Sequence, residues 1–170
     1  MKVAVGIVIV ILLLVGGIFY ASQYTSDESG GSLPTVELQN SDGDTVTIQD
    51  FQNGESTLVI NSWATWCPFC VNELPDFVSL QEEFPNITVI AVNRRESVQQ
   101  TKEYLEGIGI ENDLVYLYDA NDSWYRSLGG FTMPETIFVN SKGEIVVHKR
   151  GFMALPEMRE HVEAALTTKI

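Results

Sequence analysis

Residues 61–75 read NSWATWCPFCVNELP, and this stretch decides how the rest of the chain is organised. It closes a β-rich run, TLVINSW at 57–63, of the kind that fills a central buried strand. It then opens a segment with apolar residues at Leu74, Phe77, Val78 and Phe84, which predicts a helix over 68–84. Cys67 falls at the N-cap of that helix and Pro68 at its first position, where a missing N–H costs nothing. Unpaired amides and the positive end of the helix dipole favour a thiolate at Cys67. Cys70, three residues on, lies on the same face, within disulfide range but deeper in the helix. The asymmetry predicts that Cys67 attacks a partner's disulfide, or is attacked, while Cys70 resolves the mixed disulfide.

Cys67 and Cys70 are the two cysteines of a 170-residue chain. One close pair builds neither a disulfide-stapled miniature scaffold nor a four-thiolate zinc site. Half a zinc site would need two more ligands, and the two histidines, His148 and His161, lie far apart in patterns that suit a strand and a helix. A dithiol at a strand-to-helix junction favours redox chemistry over a metal site or two inert thiols. No metal site and no dissociable cofactor are expected, since the dithiol itself carries the electrons.

Outward from this centre, strands and helices alternate. TVELQ at 35–39, a turn at 41–44 and TVTI at 45–48 predict a hairpin. Residues 87–92 form a second short β-rich run. Val98, Thr101, Leu105 and Ile108 keep a helical spacing that predicts a helix over 96–107. A strand is expected over 115–118, and a second hairpin from 136–139 and 145–148 around a turn at 141–143. Pro156 opens a last helix with Met158, Val162, Ala165 and Leu166 inward. Helices between central strands argue for an α/β class with a mixed sheet covered on both faces. Tyr116, Tyr118, Trp124 and Tyr125 make an aromatic group suited to core packing or, less simply, to a partner groove.

The N-terminal part is different. Residues 3–20 run for 18 positions without a charge, long enough to span a bilayer core. Lys2 precedes them and Asp27 and Glu28 follow, which places the N-terminus in the cytoplasm. A cleaved signal peptide is the alternative, but the small-x-small site it wants is poorly matched at Ala21 and Ser22. The expected organisation is an anchor over 1–22, a flexible linker over 23–33 and one domain over 34–170. Acidic residues number 23 and Lys plus Arg 10, for a net charge of −13. With no basic cluster longer than the pairs Arg94-Arg95 and Lys149-Arg150, nucleic acid is not an expected partner.

Residues 61–75, with AVNRRES at 91–97 and GGFTMPETIFVNSKGEIV at 129–146, resemble the TlpA/ResA/CcmG-like membrane-anchored thiol–disulfide oxidoreductases of the thioredoxin fold. The resemblance implies a thioredoxin-like fold with an insertion between the strand at 87 and Pro134. It implies that Pro134 is the cis-proline beside the dithiol, presenting backbone to an extended substrate segment. It also implies that Glu73 lies close to Cys70 and, with its pKa raised by burial, relays a proton to and from that thiol. Asn61 stands where ordinary thioredoxins carry a buried aspartate. Trp66, Pro68, Phe69, Met133 and Pro134 are the residues expected to meet substrate, Trp63 is expected in the core, and Pro75 is expected to kink its helix.

The activity this implies is extracytoplasmic reduction of protein disulfides, with apocytochrome c before haem attachment as a substrate and a membrane dithiol as electron donor. A monomer tethered at the cell membrane is expected. An oxidant that introduces disulfides is the alternative on the same fold. A copper(I) metallochaperone using Cys67, Cys70 and His148 lacks the C-x-x-x-C spacing, and a non-catalytic binding module would not need the dithiol. A peroxidatic Pro-x-x-x-Thr-x-x-Cys arrangement is absent from the sequence.

Overall fold

The computed structural model describes residues 31–168. The anchor expected over 1–22, and the linker up to residue 30, lie outside the described residues. No described helix is long and apolar enough to cross a membrane.

Among the described residues the strands are β1 (Leu38–Gln39), β2 (Thr45–Val46), β3 (Thr57–Trp63), β4 (Ile87–Arg94), β5 (Val115–Asp119), β6 (Glu135–Val139) and β7 (Ile145–Arg150). The helices are α1 (Pro68–Glu83), α2 (Val98–Ile108), α3 (Ser123–Ser127) and α4 (Leu155–Thr167). The strands form one mixed sheet in the order β2-β1-β5-β4-β3-β6-β7. β3, β4 and β5 are parallel, whereas β6 runs antiparallel to β3 and β7 antiparallel to β6.

β3 is buried along its whole length, so it shows no polar alternation, as a strand covered on both faces requires. Its even residues, Leu58 and Ile60, pack with Ile90, Leu117, Ile137 and Trp124 on one side. Val59 packs with Phe77, Leu80 and Phe138 and with Met158 and Val162 of α4 on the other. Trp63, Leu74, Leu105, Tyr116 and Tyr118 continue that second layer around the two cysteines. Helices α1, α2 and α4 therefore cover one face, and α3 lies over the other. The expected α/β architecture holds, and the four aromatics at 116, 118, 124 and 125 are buried in it.

Four details differ from the sequence reading. The first hairpin is short: Ile48 does not extend β2 but opens a 3-10 turn at Ile48–Phe51, because Asp50 Oδ2 accepts from Thr47 N at 2.7 Å. Helix α2 starts at Val98 rather than 96, since Ser97 Oγ caps Gln100 N and leaves Glu96 free to bond elsewhere. Ile108 ends that helix exposed, not inward. The five residues of α3 were not predicted, being too few to display a period. Pro75, expected to kink its helix, lies inside α1, which continues on either side of it.

At the far end of the sheet the first described residues join the edge strand: Ser32 bridges Glu144, and Ile145 N donates to Gly31 O at 3.2 Å.

Candidate active site

The dithiol sits where β3 stops. A turn closed by Cys67 N donating to Ala64 O at 3.2 Å carries the chain from the sheet edge into α1. Cys67 is the N-cap, with extended backbone, and Pro68 follows inside the first turn. The cysteines form a disulfide, S–S 2.11 Å and Cα–Cα 5.3 Å. Cys70 N donates to Cys67 Sγ at 3.2 Å, the donor a thiolate at this position would use. Cys70 is fully buried and Cys67 only 6% exposed, whereas Trp66 and Phe69 stand out at 59% and 62%. Cys67 thus lies nearly level with the surface, next in the chain to the projecting Trp66 and two residues before the projecting Phe69.

The other wall comes from the segment before β6. The Met133–Pro134 peptide is cis. Met133 packs against the cluster that contains both cysteines, and Pro134 is buried, its carbonyl accepting from Gly151 N at 2.8 Å. The structure thus brings Trp66, Cys67, Cys70 and Met133 together, with Pro68 and Phe69 exposed on the first turn of α1.

Glu73 lies one helical turn beyond Cys70 on the buried side of α1 and has no exposed surface. Its Oε1 accepts from Asn61 Nδ2 at 3.0 Å and its Oε2 from Met153 N at 3.1 Å. Burial pushes its pKa up from 4.5 to about 8, outweighing both hydrogen bonds, with Asp76 and Glu157 adding repulsion. Such a group holds a proton at neutral pH and can exchange it. Asn61 Nδ2 also donates to Thr136 Oγ1 at 2.9 Å, while Asn61 Oδ1 is buried without a partner. Asn61 is therefore the neutral neighbour of a carboxyl group.

Two further groups were not foreseen. Glu96, buried, accepts from Thr65 N at 2.8 Å, Asn93 Nδ2 at 2.7 Å, Gln100 Nε2 at 3.2 Å and Thr65 Oγ1. It fixes the turn two residues ahead of Cys67. Arg94 is the second: its Nε donates to Asp122 Oδ1 at 2.7 Å, its Nη2 pairs with Asp122 Oδ2, and its Nη1 donates to Met133 Sδ. The quoted AVNRRES segment contained both residues, but nothing in their spacing relates them to residues 65, 122 or 133.

His148, weighed as a copper ligand, has its Nε2 2.8 Å from buried Glu135 Oε1, which Arg150 Nε also approaches at 3.3 Å. Among the described residues no group of three or more His, Cys, Asp or Glu is placed to hold a metal ion.

Sporulation thiol-disulfide oxidoreductase A of Bacillus subtilis is 26% identical over 144 residues, covering 81% of this chain and 84% of its own. The thiol-disulfide oxidoreductase ResA of Halalkalibacterium halodurans is 26% identical over 163 residues, covering 92% and 90%. Among solved structures, a DsbE-type thiol:disulfide interchange protein from Chlorobium tepidum superposes with a TM-score of 0.71 at 21% identity, over 82% of this chain and 99% of the other. That likeness shows a thioredoxin-like fold. The AhpC/TSA family model matches residues 29–148. The chain belongs to the AhpC/TSA family and is a thiol–disulfide oxidoreductase of the ResA and DsbE type.

Proposed function

We propose that this protein reduces disulfides in extracytoplasmic proteins, apocytochrome c before haem attachment among them, while tethered to the cell membrane by residues 1–22 with its N-terminus in the cytoplasm. The observation that carries the reading is the buried carboxyl of Glu73, one helical turn from the resolving cysteine and charged with a proton at neutral pH. In the reduced enzyme the Cys67 thiolate attacks one sulfur of the substrate disulfide. The other substrate sulfur leaves as a thiolate and takes a proton from solvent. In the reduced enzyme Glu73 has passed that proton to Cys70 and is a carboxylate; Cys70 now returns the proton to it and attacks Cys67 Sγ. The Cys67–Cys70 bond forms, the mixed disulfide breaks, and the second substrate sulfur also leaves as a thiolate that solvent protonates, so the substrate departs with two electrons and both thiols. Glu73 retains the proton until a dithiol donor, a membrane protein in this reading, reopens the disulfide and Cys70 reclaims it.

A buried resolving thiol with its own proton store suits repeated turnover by one molecule. The exposed Trp66 and Phe69 offer an apolar landing for a substrate segment. Extracytoplasmic placement is supported by the uncharged run at 3–20 and the acidic residues after it.

The deciding experiment equilibrates the full chain with dithiothreitol or glutathione couples and reads the oxidised fraction of Cys67–Cys70. A potential near roughly −270 mV fits a reductant, and one near about −120 mV would make the protein an oxidant of folding chains. In parallel, the Cys70→Ser variant traps substrates as mixed disulfides on Cys67, and apocytochrome c is expected among them.

A further inference from the structure

We propose that Arg94 is a positioning residue that holds Trp66 and Met133 as walls of the substrate site beside Cys67, and so governs recognition of protein substrates without governing the reactivity of the disulfide. The inference rests on Cys67–Cys70 being the redox centre.

Arg94 ends β4 and reaches across the top of the sheet. Its guanidinium carbon lies 3.5 Å from the centroid of the Tyr125 ring and 6.0 Å from that of Trp66. Its edge is engaged twice by Asp122 and once by the Met133 thioether. One planar group thus lies at the outer reach of a cation–π interaction with the residue immediately before Cys67 and bonds the residue immediately before Pro134. Its platform is itself fixed. Asp119 oxygens accept from Ser123 N and Tyr125 N, and Tyr125 Oη donates to Thr132 O at 2.9 Å. Gly130, at φ +63°, lets the loop pass Tyr125 where a Cβ would stand 3.2 Å from the ring.

Two observations decide between a docking charge and a scaffold. The Arg94 side chain is only 12% exposed, so it offers little to a partner. The forked pairing with Asp122 largely cancels its field at Cys67, so the contribution is geometric rather than electrostatic. Trp66, 59% exposed, needs such a support to stand as a wall rather than sample rotamers. Lysine, a point charge without a plane or a fork, cannot replace it.

The test uses the full chain as wild type, Arg94→Met and Arg94→Lys. Three quantities are read: KM and kcat for reduction of insulin disulfides, the rate at which dithiothreitol reopens Cys67–Cys70, and acrylamide quenching of tryptophan. Trp63 and Trp124 are fully buried, so quenching reports Trp66. Both variants are expected to raise KM for insulin by about fivefold or more, as loss of a cation–π contact and its ordering permits. Both should increase Trp66 quenching and leave kcat and the dithiothreitol rate within about twofold. Restoration of KM by lysine, or a dithiothreitol rate that falls with KM, would overturn the proposal in favour of a charge effect. Unchanged KM in both variants would overturn it outright. Should Arg94→Met fail to fold, Arg94→Lys alone decides in the same way. A wild-type disulfide that dithiothreitol does not reopen would overturn the redox reading itself and this inference with it.

Discussion

Replacing Glu73 by glutamine should change how stability depends on pH, in a window fixed by two ionisations. Below pH 4.5 the carboxyl is protonated in both folded and unfolded chains, and its burial adds no pH-dependent cost. Between pH 4.5 and about 8 the unfolded chain releases this proton and the oxidised native protein keeps it, so stability falls as pH rises. Each pH unit inside the window removes up to about 1.4 kcal/mol. Across a rise from 4.5 to about 8 the total approaches roughly 4 to 5 kcal/mol, and above that the curve flattens as native Glu73 ionises too. Glutamine keeps one acceptor but turns an N–H₂ toward either Met153 N–H or the Asn61 amide, a mismatch whose cost does not vary with pH. The assay is urea unfolding of the oxidised wild type and Glu73→Gln at half-unit steps from pH 4 to pH 9. The wild-type value minus the variant value should fall by more than about 2 kcal/mol between pH 5 and pH 8. A flat difference would refute the placement of an uncharged carboxyl in this site, and with it the proton store.

Other consequences are as direct. Asn61→Asp sets a second carboxyl 3.0 Å from Glu73 Oε1, where both cannot ionise; urea melts should show a loss of about 2 kcal/mol or more at pH 8 and much less at pH 5. Glu96→Ala leaves Thr65 N and Asn93 Nδ2 without their acceptor; we expect a cost of about 2 to 3 kcal/mol, and hydrogen exchange at Thr65 and Trp66 should accelerate more than in β3. Gly130→Ala forces a Cβ onto a left-handed backbone beside Tyr125; it should cost about 1 to 2 kcal/mol and raise Trp66 quenching, whereas Gly43→Ala, with open space at φ +89°, should leave quenching unchanged.

The elements that carry the chemistry were legible because each is written in neighbouring residues. The N-cap at Cys67, the proline after it, the buried run of β3 and the stripe of α4 are local patterns with local physical causes. Glu73 and Pro134 became readable through resemblance, since neither a helical glutamate nor a proline before a strand declares its surroundings. What escaped the sequence was contact between distant segments. Asn61 meets Thr136 across paired strands, Glu73 meets a backbone amide 80 residues away, and Arg94 reaches Asp122 and Met133 through the crossover. Helix α3 escaped for another reason: five residues complete little more than one turn, and it is held by tertiary contacts, the burial of Trp124 in the sheet's second face and the Asp119 carboxylate on Ser123 N and Tyr125 N.

The pairing of Ser32 with Glu144 has a mechanical meaning. β7 runs from that bridge to Arg150, beside the residues that follow Pro134, so the strand separates the point of chain entry from the dithiol by its full length of roughly 20 Å. The two lie at opposite poles of the domain. A tether of the kind proposed, joining upstream of residue 31, would load the sheet edge at that base and leave the redox pole at the far end. The tether proposed upstream of residue 31 would therefore not compete with substrate for the same surface.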